Sequence, residues 1–139
     1  MNVTAGGPEA LAWLRERAGC ALTPNARCIQ AVDGAGRIRG VVGFDHWTHN
    51  AVQAHWALDT PVAWRALWGP ALAYPFQESG LGLVLGVIPA DNARSVTLAR
   101  RMGFTEAHRV LDGWARGVDL LILELRPETA SWPPGTQGR

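Results

Sequence analysis

The sequence predicts an α/β domain: a mixed, mostly antiparallel sheet with helices packed on it. Three observations carry that reading. A run at 81–88 is apolar at nearly every position and too short to cross a membrane, which predicts a central strand covered on both faces. Directly after it, Asp91 and Asn92 offer a helix cap, and Ser95, Leu98, Ala99 and Met102 recur at helical spacing. Ahead of it, three segments alternate apolar and polar residues between turn residues, the pattern of antiparallel strands.

Bulk properties narrow the classes. A chain of 139 residues is one domain's worth, and 47% hydrophobic with 18% charged residues excludes wholesale disorder. A net charge of +1 argues against a strongly electrostatic nucleic-acid binder. All 13 basic residues are arginine, which excludes lysine-based chemistry. Cys20 and Cys28 have neither metal nor redox spacing, and with no signal peptide before the first helix the expected compartment is the cytoplasm, with no membrane partner. Seven tryptophans against one tyrosine point to core, to an aromatic pocket, or to a self-association surface such as a homodimer contact.

Element by element, residues 1–7 are expected to fray. Pro8 opens a helix that Gly19 closes. Strands follow at 27–33, 37–46 and 51–58, joined by Gly34-Ala35-Gly36 and by Trp47-Thr48-His49-Asn50. Ile38, Gly40, Val42 and Phe44 are assigned to one face of the second strand; Val52, Ala54, Trp56 and Leu58 share a face of the third, with Gln53 and His55 opposite. Thr60 caps a helix begun by Pro61, which should kink or break at Gly69-Pro70 and end at Pro75. After the 81–88 strand and its helix come a strand at 104–111, a loop at 112–117 and a strand at 118–125. The domain spans 1–126, and 127–139 reads as an irregular tail that Trp132 can pin.

Asn92, Ser95, Leu98, Gly103 and Phe104 form N-x-x-(A/S)-x-x-L-x-x-x-x-G-F, with Gly80 ahead of them. This resembles the second half of the GNAT acyl-CoA transferase core; the resemblance covers 27–126 and is strongest over 80–104. It implies a GNAT-like sheet splayed between the strands at 51–58 and 82–88, with the pantetheine arm of acetyl-CoA in the gap, bonded to main chain around Trp56 and Leu58 and contacted by Asn92 and Ser95. The pyrophosphate loop of that family falls here on 58–63, where both glycines and the leading Gln or Arg are missing and Asp59 and Pro61 intrude. What remains is a capped helix start, small Ala63, and Arg65 one turn in, so the amides of Val62, Ala63, Trp64 and Arg65 with the Arg65 guanidinium are the expected anion site. The leaving-group tyrosine common in that family is Ala99 here, and the sole Tyr74 reads as packing.

A general base must come from His55, His46, His49, Asp45 or Glu78, of which His55 lies on the strand that would border the thioester. His46 and His49 with Asp45 lack a defined third ligand of the usual kind, so no metal is expected. Arg100 and Arg101 could reach a 3′-phosphate or simply sit on the helix dipole. Trp47, Trp56, Trp114 and Trp132 are candidates to wall an acceptor pocket. The expected function is acyl-CoA-dependent N-acyl transfer to an unidentified amine. Two alternatives stay open. GVVGFDHWTHNAVQAHWALDTP, GVIPADN and DGWARGVDLLILELR resemble phage and prophage GNAT-like proteins, a group that includes Mom-type DNA-modifying proteins, which would gather Arg37, Arg39, Arg65, Arg94, Arg100 and Arg101 on one face. The other is a non-catalytic binding module of the same fold.

Overall fold

Local turn chemistry sets the antiparallel half of the molecule. In the computed structural model, which describes residues 1–135, β2 (Arg27–Val32) returns as β3 (Ile38–Asp45) through a turn organised by Asp33. The Asp33 carboxylate accepts from the amides of Ala35 (2.9 Å) and Arg37 (3.0 Å), as an Asx turn does. Thr48 orders the next turn, its hydroxyl accepting from Ala51 N at 2.9 Å, and β4 (Ala51–Leu58) follows. Residues expected to fray instead form β1 (Asn2–Gly6), antiparallel to β2. Gly6 is needed there, because a Cβ would collide with Cys28 Sγ and Ala10 Cβ.

The helices begin and end where their caps dictate. α1 (Pro8–Ala18) stops at Gly19, whose φ of 63° lets its amide donate to Arg15 O at 3.0 Å. α2 (Pro61–Ala73) is capped by Thr60, and α3 (Ala93–Met102) by Asn92, whose Oδ1 accepts from Ser95 N at 3.2 Å. Gly103 closes α3 at φ 105°, with Phe104 N donating to Ala99 O at 3.0 Å.

Of the kink or break expected at Gly69-Pro70, a break is absent: α2 runs through it and continues past Pro75 as a π-helical turn, Tyr74–Glu78. A proline inside a helix costs about 3 kcal/mol. Burying Leu67 and Leu72, both fully enclosed, returns about 1.5–3 kcal/mol each, enough to hold the element together.

β5 (Leu83–Pro89), β6 (Thr105–Ala115) and β7 (Val118–Leu125) complete a sheet in the order β1-β2-β3-β4-β5-β7-β6, in which β4–β5 is the parallel pair. The loop expected at 112–117 is largely hairpin. β6 leaves register after Val110, and pairing resumes at Ala115↔Val118. Asp119 accepts the Asp112 amide (3.1 Å), and Asp112 accepts that of Gly117 (2.8 Å), which ties the irregular stretch down.

α2 and α3 share the larger core with Val42, Phe44, Val52, Ala54, Val84, Ile88, Leu121, Leu123 and Leu125. α1 covers the opposite face, where Ala10 and Leu14 meet Cys28 and Val41. Ile38 packs with this second cluster, against expectation, because the register shifts between Ala31↔Gly40 and Val32↔Ile38 and the extra residue Arg39 inverts the alternation. β5 is central but buried chiefly on one face: Val84 and Ile88 are enclosed, Leu85 and Val87 only half so.

The tail beyond β7 docks. Ser131 N donates to Met102 O and Trp68 Nε1 to Ser131 O, both at 2.8 Å, while Ala130 and Trp132 pack on the larger core. Residues 136–139 of the expected tail lie outside the described residues. Among the described residues, no helix is long and apolar enough to cross a membrane.

Candidate active site

The parallel ladder between β4 and β5 ends at Gln53↔Leu85. Past that point β4 stays paired with β3 to Leu58 and β5 with β7 to Pro89, so the two strands part. Main-chain groups that point into the opening have no strand partner, and buried ones require another. The opening is a cleft of about 690 Å³. Residues 55–58 wall one side and residues 87–89 the other; Asn92, Arg94, Ser95 and Leu98 of α3, Arg17 through Cys20 at the end of α1, and Trp114 of β6 complete it.

His55 sits on the α1 side of β4, 14% exposed, with Nε2 2.7 Å from Oδ1 of Asp45. The Asp45 carboxylate is fully buried; its Oδ1 also meets His46 Nδ1 at 3.0 Å, and its Oδ2 accepts from Thr23 N at 3.1 Å. Burial pushes the Asp45 carboxyl up, but hydrogen bonds from His46 and His55, the attraction of His55 and the Thr23 amide outweigh it, so the net shift is downward. An ionised carboxylate only accepts. His55 therefore carries a proton on Nε2, and in its neutral form the lone pair lies on Nδ1.

His46 is 57% exposed and adopts φ 52°, which turns its ring back to Asp45. His49, the other histidine of that turn, is exposed and outside this group; the third member arrives from β4 instead. Cys20 lines the cleft near Asp45, and burial, then the Asp45 charge, raise its thiol pKa against its own backbone hydrogen bond and Arg15. It is not a thiolate nucleophile.

Of the residues singled out in the sequence, the structure brings His55, Trp56, Leu58, Asn92 and Ser95 to the cleft. Val62, Ala63, Trp64 and Arg65 do not line it. Their amides are also largely committed: Ala63 N donates to Thr60 Oγ1 (3.1 Å) and Trp64 N to Thr60 O (3.3 Å). Pro61 has no amide hydrogen, and by Arg65 the helix supplies its own acceptors. Only Val62 keeps a free amide in that turn. Ala63 is buried beneath Gly40, and the Trp64 ring stacks on Trp68 with centroids 5.4 Å apart.

Arg94 reaches across the cleft mouth, Nη2 donating to Leu58 O at 3.3 Å. Arg17 also lines the cleft but is engaged by Asp59 at 3.5 Å and by the Trp13 ring at 3.9 Å. Trp56 and Trp114 wall the opening, whereas Trp47 packs edge-on to Tyr74, confirming that tyrosine as packing, and Trp132 lies on the core. The Trp56 indole N–H is buried and has no acceptor among the described residues. Ala99 is fully buried and offers no acid.

No protein-family model and no curated protein sequence matches the chain. Solved structures match its fold. Spermidine N-acetyltransferase from Vibrio cholerae, in complex with CoA and spermine, superposes with a TM-score of 0.74 over 92% of this chain and 96% of that one, at 14% identity. Mutant forms of the spermidine/spermine N-acetyltransferase SpeG from the same organism give 0.74 over 90% and 93%, at 15% identity. A dodecameric structure of that spermidine N-acetyltransferase in an intermediate state gives 0.71 over 90% and 92%, also at 15%. The fold is thus the GNAT fold, a seven-stranded mixed sheet opened between β4 and β5.

Proposed function

We propose that this chain is an acyl-CoA-dependent N-acyltransferase that moves an acetyl group from acetyl-CoA to an amine. The observation that carries the reading is the seam opened beyond Gln53↔Leu85, with the Asp45–His55 pair on its wall. Solved structures of the same fold include one holding CoA and spermine, which supports both the cofactor and an amine acceptor.

The residues present fit acetyl-CoA along the seam. Unpaired main chain over 55–58, the orphaned Trp56 N–H, Ser95 and the side-chain NH₂ of Asn92 would hold the pantetheine arm. They do not fit an amide cradle for the pyrophosphate, because Thr60 has taken two of the donors. Arg94 would bind that diphosphate in place of the amide run with Arg65. When bound, acetyl-CoA supplies an activated acyl group as a thioester. His55 Nδ1 would accept a proton from the substrate ammonium, leaving the neutral amine whose lone pair can attack, while Asp45 fixes the tautomer and holds the ring. Proton acceptance of this kind contributes about 10²–10⁴-fold.

A DNA-modifying version of the fold, as in phage-type proteins, draws less support. Arg37 and Arg39 each lie 3.3 Å from Asp33, and Arg94 is turned into the cleft, so the basic face it needs is already reduced. Calorimetry with acetyl-CoA, followed by thiol release in the presence of polyamines, tests the proposal. Ligand at 100 times its dissociation constant should add about 2.7 kcal/mol of stability. No heat and no thermal shift would sink it; binding without thiol release would leave the non-catalytic module.

A further inference from the structure

We infer that Asp45, His46 and His55 form a binding site for a divalent transition ion, Zn²⁺ by its ligand set, and that loading it switches the acyl-transfer site off. The second half rests on the acyl-transfer reading; the first does not.

Three donor atoms converge. Oδ1 of Asp45 lies 2.7 Å from His55 Nε2 and 3.0 Å from His46 Nδ1, and all three atoms fall within 4.8 Å of one another. Ligands on one tetrahedral ion, with bonds of about 2.1 Å, sit about 3.4 Å apart, so Oδ1 and the two nitrogens need to part by only about 0.4–0.7 Å to admit it. Both imidazoles turn to the same oxygen as N–H donors, and an ion entering between the three atoms would take the place of those two hydrogens. The other oxygen is already held by Thr23 N at 3.1 Å, so the carboxylate is oriented from behind as ligating carboxylates are. An entry path exists, because His46 is 57% exposed while Asp45 is enclosed. Two imidazoles and one carboxylate suit Zn²⁺, Co²⁺ or Ni²⁺ rather than Mg²⁺ or Ca²⁺, which prefer oxygen. Water would fill the remaining positions.

The consequence for the cleft follows from the two nitrogens of one ring. An ion on His55 Nε2 takes the lone pair there, and the proton formerly on Nε2 passes through solvent to Nδ1. The ring stays neutral, but the nitrogen that the proposed reaction needs as acceptor is now protonated. His46 undergoes the matching exchange to its own Nε2, without consequence for the cleft, which it does not line.

The test is a titration of metal-free protein with Co²⁺, read by its visible ligand-field absorption, with Zn²⁺ as competitor. Wild type and His49→Ala should bind one ion saturably and with equal affinity; His46→Ala should bind at least about tenfold more weakly. No saturable absorption in wild type, or unchanged affinity in His46→Ala, overturns the site. Where acyl transfer is measurable, Zn²⁺ should inhibit wild type, and His46→Ala, compared with its own metal-free rate, should lose the inhibition. Inhibition that persists equally in His46→Ala overturns the switch. A protein that binds Co²⁺ as described but transfers no acyl group refutes the acyl-transfer reading and, with it, the switch, while the ion site stands.

Discussion

Replacing Asp45 removes the acceptor for three donors at once. His55 Nε2 (2.7 Å), His46 Nδ1 (3.0 Å) and Thr23 N (3.1 Å) all converge on a carboxylate with no exposed surface. In Asp45→Ala these donors lose their partner and a small void opens beside them. A buried donor left without its acceptor costs about 1–3 kcal/mol, and with His55 and Thr23 both affected the total is about 3–5 kcal/mol. For a chain of this length that is a fall of about 10–20 °C in Tm. Asp45→Asn keeps the shape but offers one acceptor oxygen and a donating NH₂, so at least one of the three donors faces another donor. Its cost should be about 1–3 kcal/mol. Urea denaturation at neutral pH measures both. If the NH₂ faces His55, the ring proton moves to Nδ1, and kcat/KM should fall by about 10²-fold or more with little change in KM for acetyl-CoA. Asp45→Ala within about 1 kcal/mol of wild type would refute the claim that this carboxylate anchors the β3–β4 hairpin. An Asp45→Asn variant with full activity would refute its role in setting the His55 tautomer.

Two further outcomes follow from the same geometry. Arg94→Ala should weaken acetyl-CoA binding about tenfold by calorimetry, whereas Arg65→Ala should change it little; the reverse ranking would restore the α2 terminus as the phosphate site. Acid stability depends on Asp33 and Asp119. The Arg37 amide, opposed by burial, and the Ala35 amide and Arg39 hold the Asp33 carboxyl below its usual range; Arg109 at 2.8 Å and the Asp112 amide do so for Asp119. A depressed carboxylate stabilises the fold above its unfolded pKa and loses that contribution as pH falls through the lower folded value, so the loss should begin below about pH 4. Asp119→Asn should flatten the fall in urea midpoint over that range, and an unchanged slope would show that Asp119 contributes nothing to it.

What the sequence made legible was local. Thr60, Asn92, Gly19 and Gly103 mark helix ends because capping is decided within a few residues, and Gly34-Ala35-Gly36 and Trp47-Thr48-His49-Asn50 mark turns for the same reason, although Asp33, read as strand, organises the first of them. β1 was not legible, because its partner lies beyond a whole helix and no turn residue announces it. Arg39 defeated strict alternation by adding one residue to the ladder, and no composition signal marks such a bulge. At the site, His55 was placed by alternation alone. Its partner Asp45 required the register, Gly43↔His55 and Asp45↔Gln53, which sets the two side chains diagonally on one face. The anion site expected at Val62 to Arg65 counts more free donors than the structure leaves there. Thr60 was read correctly as the cap, yet a cap works by consuming amides that the anion site then counted again.

The stretch that resembles a family motif supplies only one wall because a linear motif follows one layer of the fold. Asn92, Ser95 and Leu98 reach the cleft from α3, on the face where α2 also packs. His55, Cys20 and Arg17 reach it from the face covered by α1. Both sets can line one opening only because the β4–β5 ladder fails beyond Gln53↔Leu85, so the seam passes through the sheet rather than lying on it. On the proposed reaction this separates two tasks. The α3 layer grips the cofactor arm, while the α1 layer presents the proton acceptor to an amine arriving from the other side. Departures from the family pattern fall on the α2 turn and at Ala99, and neither lies in the α1 layer. The loss of a tyrosine acid therefore leaves the Asp45–His55 pair untouched, and a proton acceptor survives in a chain whose motif alone would suggest that its acid–base chemistry had gone.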